Sequence, residues 1–104
     1  MNKKIKKNTY YKNKTTGHLA WVFSRHNHKK DFLSLTHSDK KVIDPFGEHS
    51  VFPCDNPDEK DLRKSYVVDY VYTDIDNNFK TKKGDYKTSR YNKKLYNSII
   101  DKYK

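Results

Sequence analysis

A mainly β domain with a C-terminal helix, either a small β-barrel or an α+β arrangement, is the fold class this 104-residue chain predicts. Three observations carry it. Two short runs, His18–Arg25 and Asp31–Ser38, are rich in aromatic and branched aliphatic residues and lie on either side of a brief polar link. Ser65–Ile75 alternates, with Tyr66, Val68, Tyr70 and Tyr72 on one face and Val67, Asp69, Val71, Thr73 and Ile75 on the other. From Ser89 onward Tyr91, Leu95, Ile99 and Tyr103 recur every four residues, with Ile100 widening the stripe.

The elements follow in order. Residues 1–16 hold Lys, Asn, Thr and Tyr with Ile5 as the lone aliphatic, and read as a basic, poorly ordered tail. Tyr10-Tyr11 could add a short edge strand. Residues 17–104 form one small domain. Gly17 opens the first strand, Arg25–Lys30 is a hairpin connection, and the second strand returns antiparallel. Residues 39–64 form a long acidic loop punctuated by Pro45, Gly47, Pro53 and Pro57, with one short strand near His49–Phe52. Loops of this length in small domains are often functional. Asp76-Asn77-Asn78 makes a turn, and Ser89 caps the terminal helix.

Charge is distributed unevenly. The formal net charge is +10, yet the first thirty residues contain eight Lys, Arg25 and no carboxylate before Asp31. Residues 31–65 sum to −3 and the last 39 to +4. Clustered cations gain affinity for a phosphate backbone by releasing counterions, which makes a polyanion the leading partner class. A solvated Lys/Asn-rich tail is the plainer alternative. Cys54 is alone, so neither an intrachain disulfide nor a cysteine-based zinc cluster is expected, and a reduced, cytoplasmic setting is the default. Lys3–Lys7 leads into the polar Asn8–Gly17 rather than an apolar segment, so neither a signal peptide nor a membrane span is predicted.

Histidine is the first candidate for chemistry, because it exchanges protons near neutral pH. His26-Asn27-His28 spells the letters of a nuclease motif but sits where a hairpin turn is expected. His26, His28 and His37 have no carboxylate or cysteine at a metal-ligand spacing, so neither a metal nor a cofactor is predicted. His18 and Thr36-His37-Ser38 fall at the ends of two strands expected to be neighbours. Their pairing would gather imidazoles and hydroxyls at one sheet edge. Metal-independent RNA cleavage needs a base for the 2′-OH, an acid for the leaving 5′-oxygen and donors for the phosphate. Alternatively, Thr36 and Ser38 merely end a strand and begin a turn.

The stretches Gly17-His-Leu-Ala-Trp-Val-Phe-Ser24 and Phe32-Leu-Ser-Leu-Thr-His-Ser38 resemble the MazF/PemK/ToxN-like toxins. Ser65-Tyr-Val-Val-Asp-Tyr-Val-Tyr-Thr73 is similar to that family's later Ser-containing strand, and Gly84 with the helix from Ser89 resembles its ending. The resemblance implies an SH3-like barrel, usually dimeric, that cuts single-stranded RNA without metal. It matches Thr36 and Ser38 to the family's Thr-Ser motif, places His18 where an Arg usually stands, and gives Asp69 a supporting position. Tyr70 and Tyr72 replace the family's Gln and Arg. The implied partners are RNA and an acidic antitoxin protein or antitoxin RNA. Lys12, Lys14, Arg25, Lys29 and Lys30 are the candidate RNA-binding cations, with Tyr10, Tyr11 and Trp21 as stacking faces, although Trp21 also reads as core.

Three functions compete. The first is an RNA-cleaving toxin of a toxin–antitoxin or mobile-element defence system, using His18, Thr36, His37 and Ser38. The second is a non-catalytic nucleic-acid-binding accessory or inhibitor of a phage or plasmid. The third is a protein-interaction module docking through the acidic 39–64 loop.

Overall fold

The heart of the structure is the hairpin of β2 (Leu19–His26) and β3 (Lys29–Thr36). The computed structural model describes residues 8–81 and 86–103; residues 1–7 and Gly84 lie outside them. Asn27 and His28 form the two-residue turn with φ of 48° and 62°, the left-handed pair whose twist matches that of the flanking strands. The letters His-Asn-His therefore spell a turn. Along the hairpin, Leu19, Trp21, Phe23, Leu33 and Leu35 face one side, and Ala20, Val22 and Phe32 the other. Phe23 is the extra residue of a bulge between Val22 and Ser24.

The poorly ordered tail expected over residues 1–16 is corrected over its described part. Thr9–Asn13 is strand β1, paired with β2 on one side and with β9 (Phe79–Thr81) on the other. It is an inner strand rather than an edge. Tyr10 and Tyr11 point to opposite faces, so each ring enters a different apolar cluster. Asn13 is fully buried; its carbonyl oxygen accepts from Thr16 N–H and its amide donates to Asp74. The domain therefore includes residues from Thr9 onward, not from 17.

The segment expected as one long strand over 65–75 is two: β7 (Ser65–Val68) and β8 (Tyr72–Ile75), both antiparallel to β3. Between the pairs Val67–Leu35 and Tyr72–Phe32 the chain advances five residues against three on β3, so two residues bulge out. The bulge is pinned at Asp69, whose carboxylate takes the Lys102 ammonium at 2.8 Å and whose carbonyl accepts the Tyr103 hydroxyl at 2.7 Å. The acidic 39–64 segment holds three short strands rather than one. These are the hairpin β4 (Val42–Asp44) with β5 (Gly47–His49), and β6 (Val51–Cys54), which pairs with β7.

The strand order is β6-β7-β3-β2-β1-β9, with β8 also on β3. The expected barrel does not close: β6 and β9 end the path as short, separate edges. Helix α1 (Arg90–Lys102) covers the apolar face instead of the sheet wrapping on itself. Its cap is the expected one, Ser89 accepting from Asn92 N–H. The buried stripe is rotated from the expected one, running through Asn92, Tyr96 and Ile99 while Tyr91 and Tyr103 are exposed. Tyr96 goes inward because its hydroxyl meets that of Tyr10 at 2.8 Å. Trp21 is core, tilted on Tyr96 with ring centres 4.8 Å apart and donating to the Thr88 hydroxyl at 2.9 Å.

Candidate functional site

The open end of the β2–β3 hairpin is where the chemistry-bearing residues gather. Extending the Ala20–Ser34 pairing by two residues sets His18 across from Thr36, so both lie on the face that carries Phe32 and Ser34. Gly17, with φ of 72°, turns the chain into β2 at this point. His37 follows on the other face. A cleft of about 300 Å³ opens here, lined by His18, Thr36, His37, Lys12, Arg63 and Tyr86 among others. The expected juxtaposition of His18 with Thr36 and His37 is therefore present in space.

His18 is exposed by surface area, and its pKa is lowered, first by partial desolvation and then by the nearby His37, which favours the neutral ring. His37 Nδ1 lies 2.9 Å from the Lys64 carbonyl oxygen. A carbonyl only accepts, so Nδ1 carries the proton and Nε2, 3.8 Å from Asp61, is the atom left to exchange one. Thr36 is buried; its oxygen accepts from Ser38 N–H at 3.2 Å, leaving its own O–H to donate.

The far wall comes from the acidic segment. Asn56 accepts from Asp58 N–H and donates to the Arg63 carbonyl, holding the loop folded. Arg63 grips Asp61 through Nε at 3.0 Å and Nη2 at 2.7 Å, which holds that carboxyl well below its usual range. Tyr86 donates to Asp58 at 3.1 Å, and its own pKa is raised by burial and by that carboxylate. Among the lining residues Lys12 and Arg63 are matched by Asp58 and Asp61, so the cleft is not a cationic funnel. Sequence reasoning missed Arg63, Tyr86, Asp58 and Asp61. The length of the 39–64 segment was the available signal, but its acidity pointed away from a phosphate site.

The remaining candidates lie elsewhere. Arg25, Lys29 and Lys30 sit at the turn end of the hairpin, about 25 Å from the cleft at the usual rise of a strand. Arg25 forms a two-point ion pair with Asp76, and Lys30, only 2% exposed, donates to the same carboxylate at 2.9 Å beneath the Phe79 ring. Those two cations are structural. Lys14 and Lys29 are exposed. Ser38 accepts from Lys40 N–H and does not line the cleft, and Asp69 is held by Lys102. Tyr10 and Trp21 are inside and Tyr11 packs under the sheet, so none of the three is an open stacking face.

Among the described residues no group of three or more His, Cys, Asp or Glu is placed to hold a metal ion, and no helix is long and apolar enough to cross a membrane. The chain has no significant match among protein-family models, curated proteins or solved structures.

Proposed function

We propose that this protein is a metal-independent endoribonuclease of the toxin type, cutting single-stranded RNA at the His18–Thr36–His37 cleft. The observation that carries the reading is two imidazoles in one cleft with different environments, His18 biased to its neutral form and His37 fixed by the Lys64 carbonyl. Neutral His18 takes the proton of the ribose 2′-OH as that oxygen attacks phosphorus. The bond to the 5′-oxygen breaks, and His37 Nε2 supplies the proton the leaving oxygen requires. The products are a 2′,3′-cyclic phosphate and a free 5′-hydroxyl. The Thr36 hydroxyl and Lys12 face the non-bridging oxygens, where negative charge is stabilised. On this reading an acidic antitoxin protein or an antitoxin RNA covers the cleft, a second copy of the chain completes a dimer, and the open sheet is an unclosed variant of the SH3-like layout.

The test is cleavage of a mixed-sequence RNA by the full chain in the presence of a chelator. His18→Ala and His37→Ala should each lower the rate at least 100-fold with the circular dichroism spectrum unchanged. The acid limb of the rate profile should fall below the ordinary histidine value, because activity is lost as pH drops through the lowered pKa of His18. Intact RNA at a large excess of wild-type protein would falsify the proposal.

A second reading has its own support. Lys87, Arg90, Lys93 and Lys94 are exposed at the start of α1 and, among the described residues, form no ion pair. They suit a non-catalytic nucleic-acid-binding protein that grips phosphates on the helix and makes no use of His18.

A further inference from the structure

The proposed catalytic cleft shares a wall with a second, larger one. On β3 the side chains of Phe32, Ser34 and Thr36 face away from α1, and the β4–β5 hairpin stands over them. Asp44 ties that hairpin down: its carboxylate accepts the Tyr72 hydroxyl at 2.7 Å and lies 3.1 Å from His49 Nε2. Between hairpin and sheet is a cleft of about 500 Å³, walled by Phe32, Val42, Phe46, Val68 and Tyr72. Such a volume falls in the usual range for small-molecule sites. His18 and Thr36 line both clefts and so form the divide between them.

The chemistry of the walls selects the occupant. Phe32, only 2% exposed, stacks against Tyr72 at 5.6 Å, so the pair forms a closed apolar wall, and Phe46, 67% exposed, offers a ring at the mouth. Ser34 lines the cleft and is 4% exposed as a residue, and none of the described hydrogen bonds uses its hydroxyl, which therefore keeps some access to the cleft. The two carboxylates on the rim are already engaged. Asp44 serves Tyr72 and the Phe46 N–H besides its contact with His49, and Asp74 serves Asn13, Thr15, Asn78 and the Ile75 N–H. Their negative charge disfavours a phosphate here, while the apolar walls, the exposed Phe46 ring and the Ser34 hydroxyl suit an uncharged planar ring. We propose that this cleft is a nucleobase subsite, holding the base next to the phosphate that lies across the His18–Thr36 divide. The inference rests on the RNA-cleaving reading and names the part of the substrate that reading leaves unplaced.

Two measurements separate the proposals. The full chain is titrated with the four uncharged ribonucleosides and followed by amide NMR, which needs no turnover. Shifts centred on Ser34, Thr36, Phe46 and Tyr72 are expected from at least one nucleoside. Their absence from all four, shifts centred elsewhere, or shifts with hexanoate but with no nucleoside would overturn the subsite. In the cleavage assay, Phe46→Ala should raise KM roughly tenfold and leave kcat within twofold, the scale of losing one base-stacking contact. An unchanged KM in an active enzyme sinks the subsite while sparing the cleavage reading. Nucleoside shifts in a protein that cuts no RNA sink the cleavage reading and keep the subsite.

Discussion

Tyr96 is fully buried although it carries a hydroxyl, and the reason is a partner 86 residues away. Its oxygen sits 2.8 Å from that of Tyr10, and burial raises the pKa of both phenols, so the pair is neutral and hydrogen-bonded. Asn92 extends the network, donating to the Asp55 carbonyl and lying 3.5 Å from the Tyr10 oxygen. Tyr96→Phe keeps the ring and removes the bond, so it should cost about 1 kcal/mol in urea denaturation. A loss near zero would mean that the hydroxyl pair contributes nothing net. At the same scale burial lifts the Cys54 thiol to about 11, which leaves little nucleophilic thiolate at neutral pH.

Elements here are fastened by a few ionic and polar clamps. The turn end of the β2–β3 hairpin is held to the 3-10 turn at Asp76–Asn78 by one carboxylate that serves both Arg25 and Lys30. That environment holds Asp76 at about 2: the Arg25 hydrogen bond is the largest cause, and with Lys30 it outweighs the upward push of burial. A lowered carboxyl pKa stabilises the fold fully above the ordinary value near 4, and the contribution is lost as pH falls through about 2. Thermal unfolding of the wild type should therefore fall more steeply between pH 4 and pH 2 than that of Asp76→Asn. Asp76→Ala leaves the Lys30 ammonium buried without its partner and should cost roughly 3 kcal/mol at neutral pH. The bulge at Asp69 acts at the same scale. It divides the 65–75 segment so that β7 and β8 pair with different parts of β3, and Val68 with Tyr72 then wall the second cleft.

For the whole molecule the question is where a net +10 acts. The cleft is nearly balanced in charge and the Arg25–Lys30 pair is occupied, whereas the exposed cations at the start of α1 form no ion pair among the described residues. Replacing Lys87, Arg90, Lys93 and Lys94 together by Gln should flatten the plot of log affinity against log salt for single-stranded RNA. The expected change in slope is up to about 0.7 for each phosphate contact removed. Deleting residues 1–7 removes four lysines and leaves β1 in place, so it separates the leading charge from the fold. A slope unchanged by the Gln variant places the phosphate contacts away from the helix.

Much of the local plan was readable along the chain because it depends on neighbours in sequence. The alternation of β2 and β3, the polar link between them and the Ser89 cap are short-range patterns, and they sufficed to bring His18 toward Thr36 and His37. The sequence by itself also determined the strand-rich class and the final helix. Only the tertiary structure decided that Thr9–Asn13 is an inner strand, since that depends on β2 and β9 offering edges on both sides. It likewise decided that the sheet stays open, because the helix rather than the sheet covers the apolar face. The fate of the cations was equally hidden: Lys30 meets Asp76 across 46 residues, and Arg63 enters the cleft from a segment whose overall charge is negative. Periodicity reports which face a side chain takes, whereas pairing partners are fixed by contacts between distant parts of the chain.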